Sequence, residues 1–205
     1  MTVPKAVELI AHLVKHHPQM TVGTGTLLDV EMARKCLDAG ATFLTSPAFD
    51  LEIAQFAIKE NVAMFPAAMT PTEVVTAWKA GADFIKVFPC EQIGGEKYIK
   101  ALNAALPQIP LIAAGGVNQQ TAAGFISSGA CALGQRVVNR GKRVFRFWKA
   151  DSPKSIAEIG NVPIDLRRRP VGIWKPAVTG TVYSVCTQAT RAGNFLTQPA
   201  RRLAS

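Results

Sequence analysis

The sequence predicts an α/β fold of the (β/α)8 barrel type, incomplete, and three observations predict it. Apolar strands and amphipathic helices alternate with a period of roughly 20–27 residues through the first two thirds of the chain. The helix-to-strand joints repeat one pattern, Ala39-Gly40-Ala41, Ala80-Gly81-Ala82 and Ser128-Gly129-Ala130, in which the glycine supplies the left-handed helix end. Polar and glycine-rich segments, namely Gly23-Thr24-Gly25-Thr26, Ser46-Pro47, Lys86 and Gly115-Gly116, all fall at the C-terminal ends of strands. Units this short imply parallel strands with right-handed crossovers. Periodicity alone admits a doubly wound sheet as well as a barrel. The strand-end segments favour the barrel, because its strand ends form one face on which active sites are built.

The elements follow in order. Residues 4–17 form a helix, with Pro4 in its first turn, Ala6, Leu9, Ile10 and Leu13 at helical spacing, and Pro18 beyond its end. Met20-Thr21-Val22 is a strand. Asp29 caps a helix that runs through Leu37 to Gly40. Thr42-Phe43-Leu44-Thr45 is a strand, and Asp50 opens a helix ending near Asn61. Val62-Ala63-Met64-Phe65 is the next strand. Thr70-Pro71-Thr72-Glu73 is a capping box with proline at the first helical position. Its helix buries Val74, Ala77 and Trp78. A helix carrying Ile99, Leu102 and Leu106 precedes the strand Pro110-Leu111-Ile112-Ala113. Asn118 caps a helix with Ala122, Phe125 and Ile126 inward, and Ala130-Cys131-Ala132-Leu133 begins the last strand.

Gly81-Ala82-Asp83-Phe84-Ile85-Lys86-Val87-Phe88-Pro89 is the stretch with chemical content. Alternation puts Phe84, Lys86 and Phe88 on one face and Ile85 and Val87 on the other. Both faces are apolar, so the strand is buried on both sides. A buried ammonium is costly unless paired, neutral or used covalently. Burial favours the neutral amine, which attacks carbonyls. Taken alone, Lys86 is more simply a strand-end lysine reaching water along its apolar stem. Taken alone, Gly115-Gly116 is a tight turn, although glycines before a helix also suit a phosphate. Together on one face, the strand-end groups support a catalytic reading.

Composition narrows the classes. The chain has 205 residues and a net charge of +9. Residues 1–134 carry 9 Lys/Arg and 11 Asp/Glu, whereas residues 135–205 carry 14 and 3. The first part reads as an ordinary soluble domain, and residues 135–205 as a basic, Arg/Pro-rich tail. No apolar run reaches the roughly 18 residues of a membrane helix, and no secretory leader is visible. Cys36, Cys90, Cys131 and Cys186 lack C-x-x-C spacing, which favours reduced thiols in a cytoplasmic protein over a metal or disulfide framework. His12 and His16 have the spacing of a metal pair but no acidic or cysteine partner nearby, so they read as solvated side chains near a helix end.

Gly23-Thr24-Gly25-Thr26, Ser46-Pro47, Phe84-Ile85-Lys86-Val87-Phe88-Pro89 and Ala114-Gly115-Gly116-Val117 stand in an order and spacing similar to those of one family. Residues 1–134 resemble the class I aldolases that cleave 2-keto-3-deoxy-6-phosphogluconate (KDPG) or 4-hydroxy-2-oxoglutarate (KHG). The resemblance implies a trimeric (β/α)8 barrel without metal or organic cofactor, acting on a phosphorylated keto acid. It makes Lys86 the Schiff-base lysine, places Thr26 and Pro47 around the keto acid and Phe88 beside the imine, and gives Gly115 and Gly116 to the phosphate. It does not separate KDPG from KHG.

Two departures qualify the resemblance. The family's proton-transfer glutamate ends the second barrel strand in a motif close to Glu-x-Thr-[Leu/Met]-[Arg/Thr]. Met1-Thr2 aligns with the last two positions of that motif, so the glutamate, the first strand and helix, and most of the second strand are expected to be missing. Loss of a general base costs about 10²–10⁴-fold in rate. The expectation is therefore an impaired aldolase, or a non-catalytic remnant that binds phosphate or keto acid, with exposed sheet edges prone to association. Another phosphate-using barrel enzyme ranks lower, because these strand ends offer no carboxylate or histidine.

The second departure follows Gly134, where the family's glycine-rich turn gives way to Gln135-Arg136-Val137-Val138. No barrel element is legible beyond that point. The tail reads as sequence not selected to fold with the barrel, ahead of a small extension domain. A nucleic-acid-binding arm ranks last. It rests on Phe145, Phe147 and Trp148 among Lys142, Arg143, Arg146 and Lys149.

Overall fold

The computed structural model describes residues 5–18, 20–139, 142–149 and 181–185. Among them six helices alternate with parallel strands: α1 (Ala6–His16), β1 (Thr21–Thr24), α2 (Val30–Asp38), β2 (Phe43–Thr45), α3 (Leu51–Lys59), β3 (Ala63–Phe65), β4 (Ala67–Ala68), α4 (Pro71–Lys79), β5 (Ile85–Val87), α5 (Gly95–Ala105), β6 (Leu111–Ala114), α6 (Ala122–Ser127) and β7 (Ala132–Asn139). Two more strands follow, β8 (Lys142–Lys149) and β9 (Thr181–Val185).

Local chemistry sets the helix starts. The Asp29 carboxylate accepts from Met32 N at 2.7 Å and that of Asp50 from Ile53 N at 2.9 Å. Thr70 and Glu73 form the reciprocal capping box ahead of α4, and Pro71 fills the first helical position. Asn118 does not cap α6. Its Oδ1 accepts from Gln120 N and Thr121 N and so ties the preceding turn, and α6 opens at Thr121 without a side-chain cap.

One joint recurs between helix and strand. Gly40 N bonds Leu37 O and Ala41 N bonds Cys36 O, and the same pair of bonds recurs at Gly81-Ala82 and Gly129-Ala130. The three glycines have φ of 96°, 89° and 104°, where a Cβ is disfavoured. A fourth copy uses asparagine. Asn61, at φ 54°, donates to Ile58 O while Val62 N bonds Ala57 O. Asparagine tolerates this region better than other non-glycine residues.

The strands β4, β5, β6 and β7 run parallel in one sheet, and β2 pairs parallel with β3. Only Pro66 separates β3 from β4. Proline has no N–H to give the ladder, so the strand breaks there in register without changing direction. Thr42 N bonds Val22 O at 2.8 Å, which joins β2 to β1. The remaining gap, between β7 and β1, holds β8, antiparallel to both its neighbours, and β9, parallel to β1. The pairing therefore runs full circle. Among the described residues the architecture is a (β/α)8-type barrel that is incomplete in its repeats, with β8 and β9 in the remaining places.

Beyond Gly134 the structure departs from the sequence reading. The ladder continues through β7 to Asn139, and β8 and β9 pair into the sheet where barrel edges were expected to lie exposed. The residues of β8 and β9 are rich in valine and aromatics, types enriched in strands. In β8 interspersed arginine and lysine break the apolar run, and β9 is only five residues long. Arg167-Arg168-Arg169 and Arg201-Arg202 lie outside the described residues.

The core has two layers. Ile85, Val87, Leu111, Ala113 and Leu133 face the helices, as do Val22, Leu44 and Met64 on the other half of the barrel. Phe43, Phe65, Ile112 and Ala132 meet inside it, with Phe84 packed against them. Strand alternation assigns these sets. It places Thr45 with Phe43, and Lys86 with Phe84, on the inner side.

Candidate functional site

The inner aromatics make a floor. The Phe43 and Phe65 rings stack with centroids 5.4 Å apart, and Phe84 meets Phe65 edge-on at 5.1 Å. Gly23 admits the Phe43 ring, since a Cβ there would collide with it. Above this floor the inner face turns polar at Thr45 and Lys86. Among the described residues the buried polar side chains are Thr24, Thr45, Ser46 and Lys86, each within one residue of the C-terminal end of its strand.

Lys86 is 7 % exposed. Its backbone N bonds Pro66 O, and its neighbours in the ladders are Ala67 and Ile112. Its Nζ donates to Thr45 Oγ1 at 3.3 Å and lies 5.5 Å from the centroid of the Phe88 ring. The Thr45 hydroxyl donates to Phe65 O at 2.6 Å, so toward Lys86 it offers lone pairs. Thr45 N in turn donates to Thr24 Oγ1 at 2.9 Å. β1, β2, β3 and β5 are thus stitched together at one level by two hydroxyls and an amine.

The other residues singled out in the sequence occupy the same mouth. Thr26 follows β1, Pro47 follows β2 and Phe88 follows β5, each half-buried. Leu27 N bonds Thr45 O at 3.2 Å and draws the Thr26 loop against β2. Gly115 and Gly116 follow β6 with φ of 88° and 82°. A Cβ on Gly115 would lie 3.2 Å from both Pro89 Cα and Cys90 N, because the chain leaving β5 crosses it directly. Cys90 N bonds Ala114 O and Glu91 N bonds Gly115 O. The Glu91 side chain lies against Gly116, where a Cβ would collide with it. Thr121 Oγ1 donates to Gly116 O at 2.8 Å.

His12 and His16 stack on α1, both exposed, with His16 Nδ1 2.9 Å from His12 O. Among the described residues no three His, Cys, Asp or Glu side chains gather as metal ligands, and no helix is long and apolar enough to cross a membrane. Thr45 was not singled out in the sequence, and Thr24 only as part of the segment Gly23-Thr24-Gly25-Thr26. The signal for Thr45 was its parity with Phe43, which places it on the inner face once the strand is known to line a barrel.

A barrel mouth that buries a lysine among hydroxyls and aromatic rings holds the kind of group with which an amine is offered to a carbonyl. The model of the KDPG and KHG aldolase family matches residues 1–145, and the chain belongs to that family. It is 30% identical over 139 residues to the 2-dehydro-3-deoxy-phosphogluconate aldolase of Pseudomonas aeruginosa, covering 64% of this chain and 63% of the relative. It is 34% identical over 114 residues to the 2-dehydro-3-deoxy-6-phosphogalactonate aldolase of Escherichia coli, covering 55% of each. The chain thus spans less than two thirds of the length of these relatives. A crystal structure of the 2-keto-3-deoxy-6-phosphogluconate aldolase of Zymomonas mobilis with 3-phosphoglycerate superposes with a TM-score of 0.62 at 27% identity, over 76% of this chain and 71% of that one. A cube-shaped cage designed by fusing symmetric oligomeric domains matches with a TM-score of 0.59 at 31% identity, over 62% of this chain and 47% of that one.

Proposed function

We propose that the chain is a Schiff-base aldolase, cleaving KDPG to pyruvate and glyceraldehyde 3-phosphate, KHG to pyruvate and glyoxylate, or both. The observation that carries this reading is the Lys86 amine, 7 % exposed on the inner face of the barrel, within the region that matches the family. The unprotonated amine attacks the C2 ketone, the ketone oxygen leaves as water, and the iminium nitrogen takes the electron pair of the breaking C3–C4 bond. The C4 hydroxyl gives up its proton as the aldehyde departs. The enamine then gains a proton at C3 and hydrolyses to pyruvate.

In this reading Thr26 and Pro47 line the keto-acid pocket, Phe88 packs beside the imine, and the Gly115-Gly116 turn receives the phosphate of the longer substrate. The protein acts in the cytoplasm as a homo-oligomer, a trimer if it follows the family resemblance. The described buried polar groups are hydroxyls and one amine, so imine formation is better provided for than the later proton transfers. Turnover is accordingly slow relative to imine formation. The second reading, a remnant that binds keto acid or phosphate without cleaving substrate, rests on that same shortage.

Borohydride trapping with pyruvate, read by intact mass and peptide mapping, tests the proposal. A stable adduct on Lys86, lost in Lys86→Met, is the expected result. Folded protein that yields no adduct would remove the aldolase reading and leave the remnant.

A further inference from the structure

We infer that Thr45 is a positioning residue for the Lys86 amine, holding its nitrogen for attack on the carbonyl and keeping the same bond to the iminium. The inference rests on the aldolase reading of Lys86 and adds to it the group that orients the nucleophile. Three features carry it. Thr45 Oγ1 stands 3.3 Å from Lys86 Nζ. Its own proton is committed to Phe65 O at 2.6 Å, so an N–H of Lys86 is what its oxygen accepts. The threonine itself is held firmly, 1% exposed, with its backbone N on Thr24 Oγ1 and its β-branched side chain restricted at χ1.

The consequence is geometric. A lysine stem has many rotamers, and the nitrogen at its end attacks well only from a narrow set of them. One N–H fixed on Thr45 directs the nitrogen lone pair away from β2. During the reaction the N–C2 bond forms, the ketone oxygen collects the nitrogen's other proton together with one from solvent, and water leaves. The N–H on Thr45 survives as the iminium N–H. Thr45 exchanges no atom with the substrate. A hydroxyl that merely filled its own hydrogen bonds would leave Lys86 equally reactive after replacement.

The test compares Thr45→Val, which keeps the shape and removes the hydroxyl, with Thr45→Ser, which keeps the hydroxyl. The initial rate of borohydride trapping is measured against pyruvate concentration, and circular dichroism melts establish that each variant is folded. We expect Thr45→Val to lower the rate at saturating pyruvate about tenfold, to leave the half-saturating concentration within about twofold, and Thr45→Ser to restore the rate. A folded Thr45→Val that traps at the parent rate overturns the inference, as does a Thr45→Ser as slow as the valine variant. Reductive methylation of Lys86 by formaldehyde and cyanoborohydride separates this inference from the aldolase reading. If the parent protein forms no pyruvate adduct, the aldolase reading falls. Slower methylation of Lys86 in Thr45→Val than in Thr45→Ser then still supports the positioning role, and equal rates overturn it.

Discussion

The thiols show how far burial acts on single residues. Cys36 and Cys90 are fully buried. Burial pushes the Cys36 thiol up to about 11 and that of Cys90 up to about 12. At pH 8 only on the order of one Cys90 in ten thousand is thiolate, and the thiolate is the reactive form. Native protein treated with iodoacetamide at pH 8 should therefore leave both cysteines unmodified and label them once urea unfolds it. Labelling of Cys90 in the native protein would show that the crossing beside Gly115 is looser than described. Gly115→Ala addresses the same crossing. Its Cβ would press on backbone atoms of Pro89 and Cys90 that have no side-chain freedom to give way, and φ of 88° adds strain. A loss of about 1–2 kcal/mol in urea unfolding is expected.

At the scale of the element, the joints and caps give the sharpest expectations. Gly81→Ala puts a Cβ at φ 89° and should cost about 1–2 kcal/mol. Asn61→Gly relieves the copy of this joint that uses asparagine and should not destabilise by more than about 0.5 kcal/mol. Comparable losses in the two variants would mean that the Asn61 joint is held by something other than backbone conformation. At α4, Met69 N and then Thr70 N donate to Glu73 and hold its carboxyl below the usual carboxylate range. A depressed folded pKa contributes stability that is present above the unfolded pKa and lost as pH falls through the folded one. Glu73→Gln should therefore destabilise at pH 7, and the difference from the parent should shrink below the ordinary carboxylate range. A difference independent of pH would mean that the cap works without its charge. Thr70→Ala removes the other half of the box, at a cost of about 1 kcal/mol.

At the scale of the whole molecule, the question is how a barrel short of β/α units avoids open edges. β8 and β9 answer it by pairing with β7 and β1. A chain ending at Asn139 would leave β7 and β1 with unpaired backbone groups, which invite association. Size-exclusion chromatography should show that shortened protein aggregated or in larger assemblies than the full chain. A monomeric fragment with a cooperative melt would mean that β8 and β9 are dispensable to the ring.

Local chemistry let the sequence determine most of the repeats by itself. Asp29, Asp50 and the Thr70–Glu73 box mark helix starts, glycines at 40, 81 and 129 mark helix ends, and alternation alone sets Phe84, Lys86 and Phe88 on one face. Each of these acts within a few residues, so each is legible in one dimension. Tertiary structure decided what depends on distant partners. It set Thr45 against Lys86 across two strands, the Glu91 side chain against Gly116, and β9 beside β1 although more than 150 residues separate them in the chain. Hydrogen bonds between remote strands leave no periodic trace in either partner, and so only the closed ring reveals them.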